Sequence, residues 1–133
     1  MREVVKAVIC KDHKYLLQLR DNDITIDYPN TWSFFGGEVD EGENFEEALK
    51  RELEEELSWH SDELFFIDKI TNKEVECNIY FYIVNCEAPE DSLVLGEGQA
   101  MEWFSIEEVM DLTNTAAEIK NIIRQAAYRF KKA

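Results

Sequence analysis

Gly36-Gly37-Glu38-Val39-Asp40-Glu41-Gly42-Glu43-Asn44-Phe45-Glu46-Glu47-Ala48-Leu49-Lys50-Arg51-Glu52-Leu53-Glu54-Glu55-Glu56-Leu57-Ser58-Trp59 carries two patterns at once. From Asn44 to Leu57 the apolar residues Phe45, Ala48, Leu49, Leu53 and Leu57 recur at helical spacing on one face. The acids are not spread evenly over the rest. With Glu52 at zero and ~100° per residue, Glu56 lies near ~40° and Glu55 near ~300°. These three share an arc of roughly 100° at one edge of the apolar face. Glu54 and Glu47 fall near ~200° and ~220°, on the opposite, wet side. Like charges at i,i+3 and i,i+4 cost a few tenths of a kcal/mol per pair, and more where solvent is excluded. A divalent cation turns that liability into binding, and hard oxygen ligands suit Mg²⁺ or Mn²⁺. Acids near a helix N-terminus are also favoured by its dipole, so spacing alone leaves a charged surface and a cation site both open.

Between Glu38 and Glu63 twelve acids stand against Lys50 and Arg51 alone, a net −10 out of −15 for the whole chain. Two other readings of so acidic a stretch fail. A calcium loop of EF-hand type with Gly42 at its sixth position needs Asp at the first, and Gly37 stands there. A phosphate loop needs Gly-Lys-Ser/Thr, and Gly36-Gly37-Glu38 does not supply it.

Outward from this helix the chain alternates strands and helices. Val4–Cys10 and Tyr15–Arg20 read as the arms of a hairpin around Lys11–Lys14, with His13 a turn residue. Asp21–Thr31 reads as a loop, and Trp32–Phe35 as a short apolar segment in which Trp32, Phe34 and Phe35 belong to the core. Leu64–Thr71 and Val75–Asn85 read as strands. In the second, Tyr80 and Tyr82 alternate with Phe81, which assigns one face to the core and the other to a pocket. Cys86–Gly98 is a loop and Met101–Phe104 a short strand. Ser105–Glu108 and Thr115–Glu118 have the spacing of capping boxes. A last helix, Ala116 to Lys131, has Lys131 and Lys132 near its negative end. This order predicts a layered α/β chain folding as one domain, 1–133.

Composition narrows the function. The chain has 133 residues, 45% of them apolar, enough for one core. With 14 basic against 29 acidic residues it repels phosphate backbones, so no nucleic-acid polymer is expected as a partner. No apolar run approaches the ~20 residues of a membrane span, and Met1–Cys10 lacks the apolar core of a secretory signal. Three cysteines without a CxxC suit a reducing, cytoplasmic setting. His13 and His60 alone are too few for a His-rich zinc site.

Gly37, five residues, Glu43, seven residues, then Arg51-Glu52-Leu53-Glu54-Glu55-Glu56 and apolar Trp59 resembles the Nudix hydrolase box. Six of its seven fixed identities are present over these 23 residues. The departure is Ser58, which stands where the family's Gly ends the helix in a left-handed turn. Phe35 also stands where many members have Pro. The resemblance implies a Nudix-type α/β/α sandwich around a mixed β-sheet. It also implies Mg²⁺- or Mn²⁺-dependent hydrolysis of a small-molecule nucleoside diphosphate linked to another group. The first reading is a MutT-like pyrophosphohydrolase of nucleoside triphosphates, damaged ones included. Its alternatives are a nucleotide-sugar or dinucleotide pyrophosphatase, and a Nudix-fold module that binds a nucleotide without cleaving it. A plain divalent-ion buffer is disfavoured by the absence of a ligand-rich loop.

By the same resemblance Glu55 and Glu56 are central metal ligands, joined by the Gly36 carbonyl and by Glu97, from the segment Glu97-Gly98-Gln99. Glu52 is the general base or a further ligand, and Arg51 orients it. Gly37 and Glu43 are structural parts of the motif. Arg20, at the end of the second strand, would touch substrate phosphate. Asn114 would reach the base, although a loop role is the simpler reading. Homodimers are common in the family, and the resemblance brings that expectation too.

Overall fold

The computed structural model describes residues 1–129, so the expected helix end at Lys131 and Lys132 lies outside the described residues. The chain runs β1 (Arg2–Lys11), β2 (Lys14–Leu19), β3 (Trp32–Ser33), β4 (Phe35–Glu38), α1 (Phe45–Leu57), β5 (Leu64–Asn72), β6 (Cys77–Asn85), β7 (Ala100–Ser105), α2 (Ile106–Asp111) and α3 (Ala117–Arg129). Seven strands form one sheet along the path β3-β2-β1-β6-β5, with β4 against β1 and β7 against β2. β1 and β6 are parallel and every other pairing is antiparallel, so the sheet is mixed. The hairpin between β1 and β2 closes through Asp12 and His13 alone. Both have positive φ, as a two-residue turn matched to strand twist requires.

Alternation along β1 explains the layers. Val5, Ala7 and Ile9 face α1, whose Leu49, Leu53 and Leu57 are fully buried against them. Val4, Val8 and Cys10 face the other way, onto Ile119, Ile122, Ile123 and Ala126 of α3. The sheet is thus covered on both sides, an α/β/α sandwich as expected. β6 does have one face on a cavity, but it is the face of Ile79 and Phe81 and not that of the two tyrosines. Phe81 packs in the α3-side core. Tyr80 and Tyr82 lie on the α1 side, stacked on Phe45 and edge-on to Phe66.

The caps show which local signals hold. Asn44 accepts the Glu47 N–H while Glu47 accepts the Asn44 N–H, fixing the start of α1. Ser105 and Glu108 do the same for α2, as their spacing predicts. The second predicted box fails. α3 begins at Ala117, and the Thr115 hydroxyl donates instead to the Trp32 carbonyl at 2.7 Å, tying the helix entry to β3. No described helix is long and apolar enough to cross a membrane.

Candidate active site

α1 ends on Ser58 at φ 52°, ψ 40°, the left-handed conformation of the glycine it replaces. Its exposed carbonyls then need donors. The Ser58 N–H reaches Glu54 O, while Val94 N–H reaches Leu57 O at 3.1 Å and Gly96 N–H reaches Glu56 O at 2.7 Å. A Cβ on Gly96 would come within 3.0 Å of Glu55 O, so this approach favours a bare backbone. The 94–96 loop therefore closes the helix and delivers Glu97 to its side.

β4 lies on β1 with Gly36 opposite Lys6 and Gly37 opposite Val5. Gly36 has φ +150°, and a side chain there would collide with the Val5 carbonyl. A Cβ on Gly37 would stand 2.5 Å from the Glu52 carboxylate. That glycine is what allows Glu52 to lie on the strand. The Gly36 N–H donates to Glu56 Oε1 at 3.0 Å, and Glu56 is 3% exposed.

Arg51 organises the loop before the helix. Its Nε and Nη2 grip both oxygens of Glu43 at 2.7 and 3.0 Å, a two-pronged pair. Nη1 donates to Glu52 at 3.0 Å, Nη2 to the Glu38 carbonyl at 3.0 Å, and Glu55 lies at a marginal 3.4 Å. Glu43 in turn accepts the Asp40 N–H at 2.8 Å. The Arg51 hydrogen bond holds the Glu43 carboxyl below its ordinary range. Burial pushes Glu52 upward, and Arg51 opposes that shift.

The decisive contact is between carboxyl groups. Glu56 hydrogen-bonds Glu97, and burial together with that neighbour pushes Glu56 up to about 9. A buried carboxyl, Glu56, in contact with the exposed carboxyl of Glu97 needs a proton or a cation between the two. This donor set fits a hard divalent ion. Glu55 is turned outward, 59% exposed along its side chain. Among the described residues no three acidic, His or Cys side chains are gathered tightly enough to ligate one ion.

Beside this pair opens a cavity of about 540 Å³ on the α3 side of the sheet. Its lining includes Gly36, Gly37, Glu97, Lys6 and Arg20, together with apolar Val4, Ile79 and Phe81. Arg20 donates its Nε to the Asp27 carbonyl at 2.9 Å. Asn114 lines the cavity; its backbone carbonyl accepts the Trp32 N–H at 2.9 Å, and its side-chain amide donates to the Asn30 carbonyl at 3.5 Å. Trp32 also lines the cavity, half-buried and edge-on to Phe104 at 5.0 Å, whereas Phe34 and Phe35 are fully buried.

A family model described as the NUDIX domain matches residues 1–126. The chain belongs to the NUDIX family. It is 31% identical over 119 residues to a CTP pyrophosphohydrolase of Escherichia coli K12, covering 90% of this chain and 87% of that one. It is 29% identical over 133 residues to nucleoside triphosphatase NudI of Escherichia coli O81, covering 91% and 94%. A MutT NUDIX hydrolase from Burkholderia pseudomallei has the same fold, with a TM-score of 0.80 at 21% identity over 93% of this chain and 96% of that one.

The Nudix box thus brings Gly36, Gly37, Glu43, Arg51, Glu52 and Glu56 together with Glu97, and leaves Glu55 at the rim. Sequence reading passed over Lys6. Its signal was there, a lone charge inside the apolar run from Val4 to Cys10. Glu118, half-buried at the cavity wall and pushed upward by desolvation, carries no local signal beyond its cap spacing.

Proposed function

We propose that this Nudix chain is a divalent-cation-dependent pyrophosphohydrolase that converts a nucleoside triphosphate to its monophosphate and pyrophosphate. The observation that carries the reading is the contact of buried Glu56 with Glu97, flanked by Glu52, beside a cavity whose lining includes Glu97, Lys6 and Arg20. Two relatives of nearly full length bear names of nucleoside triphosphate hydrolases. Glu56, Glu97, the Gly36 carbonyl and Glu55, after a turn away from Arg51, would hold Mg²⁺ or Mn²⁺. Such an ion polarises phosphoryl oxygens and makes water more acidic.

The protein's own groups do the rest. Glu52, pressed on Gly37 and oriented by Arg51, takes the proton of the attacking water. Glu43 acts by holding Arg51. Arg20 meets substrate phosphate, and Trp32 and Asn114 border the space for the base. The test is a product assay across nucleoside triphosphates, nucleotide sugars and dinucleotides with Mg²⁺. Pyrophosphate release from triphosphates is the expected result. Two mononucleotides, or a sugar phosphate, would reassign the substrate class. Hydrolysis of none would overturn the reading.

A further inference from the structure

Lys6 stands in an unusual place. On the cavity side of β1 its neighbours are Val4 and Val8, and its partners across the sheet include Phe81 and Gly36. Among the described residues it makes no hydrogen bond and no ion pair. Glu52, Glu56, Glu97 and Glu118 are near enough to act on it electrostatically, yet none comes within ion-pair distance. Arg20, a second cation lining the cavity, repels it. Arg20 itself bonds a backbone carbonyl rather than a carboxylate. In a chain with twice as many acids as bases, two cations directed into one cavity without a carboxylate partner leave a seat for an anion from outside.

We propose that Lys6 binds the phosphate that stays on the nucleoside, so that the product mononucleotide is held without metal. The assignment of that phosphate rests on the pyrophosphohydrolase reading above. Geometry orders the ligand along the cavity. Glu97 lines the cavity beside Gly36 and Gly37, against which Glu56 and Glu52 lie, and the bond is cut there. Val4, Ile79 and Phe81 give an apolar lining for the nucleoside. Lys6 sits where the two meet, one strand position from Gly37's partner Val5 and two from Val4. A phosphate bridging nucleoside and scissile bond has to pass it. Burial, with Arg20 nearby, pulls the Lys6 ammonium below the usual lysine range. A phosphate beside it favours the charged form, which offers three donors to phosphate oxygens.

The test is calorimetric binding in excess chelator at neutral pH, with the four 5′-mononucleotides and their parent nucleosides as probes. In the unaltered chain at least one mononucleotide should bind tenfold or more tightly than its nucleoside. Lys6→Met, which keeps the stem, should abolish that gain, and Lys6→Arg should restore most of it. Equal binding of nucleotide and nucleoside by the unaltered chain would overturn the proposal, whether or not the variants fold. So would a folded Lys6→Met that keeps the tenfold gain. Pyrophosphate release with no Lys6-dependent binding sinks this inference alone. Lys6-dependent mononucleotide binding in a chain that cleaves no triphosphate sinks the proposed reaction and leaves the phosphate seat.

Discussion

Glu54, Glu55 and Glu56 are consecutive and chemically identical, but the fold gives them three environments. Glu54 faces solvent beside His60 at 3.0 Å, Glu55 sits at the rim near Arg51, and Glu56 is buried against Gly36 and Glu97. Glu54→Gln should change stability by no more than ~0.5 kcal/mol and leave kcat intact. Glu55→Gln and Glu56→Gln should each lower kcat by roughly 10²–10³, the equivalent of ~3–4 kcal/mol of transition-state stabilisation. Equal losses at Glu54 and Glu55, measured at saturating Mg²⁺, would mean that the helix is oriented otherwise. A second expectation concerns pH. Glu56 titrates near 4.5 when unfolded and is pushed up to about 9 when folded, so the native state holds the extra proton between those values. Stability of the metal-free protein therefore falls as pH rises across that window. Thermal melts in chelator at pH 6 and pH 9 should show the drop. Glu56→Gln should flatten it, and Mg²⁺ should offset it at the upper pH. The acid edge was legible because helical periodicity alone separates Glu54 from its neighbours. Lys6 was not, because its surroundings are set by pairing with β4 and β6, which no local spacing encodes.

At the scale of elements, local chemistry was readable wherever a residue's partner lies within a few positions. The Ser105–Glu108 box formed as its spacing implies. Thr115 did not cap, since Trp32, far away in sequence, claimed its hydroxyl. The end of α1 follows the same rule. Ser58 takes up the left-handed turn at its own cost, because the helix must stop before Trp59 and the 94–96 loop must reach its carbonyls. Ser58→Gly should therefore raise stability by on the order of 1 kcal/mol, read from urea midpoints, with the rate nearly unchanged. A loss of stability would show that the serine side chain contributes a cap of its own. Glu97 marks the limit of this legibility. Only likeness to a family pointed to it, because the hydrogen bonds that bring it to Glu56 join segments distant in the chain.

The whole molecule carries a net charge of −15, and its proposed substrate is a polyanion. Turnover should vanish in excess chelator, return with Mg²⁺ or Mn²⁺, and climb toward alkaline pH as Glu52 and the attacking water lose protons. Full turnover without divalent ions would contradict the site assignment. The sandwich itself followed from sequence because each layer is an independent amphipathic pattern. The cavity did not, since it is the space left between α3, β1, β6 and the 21–31 loop, and only their packing defines it. One consequence follows from the way Val94 and Gly96 close α1. Their amides are locked by hydrogen bonds to Leu57 and Glu56, directly beside the proposed cation site. An ion that binds the closed form steadies those amides by mass action. Their deuterium uptake should then slow as Mg²⁺ is added, reporting occupancy of the site from outside it, with no substrate present and no bond broken.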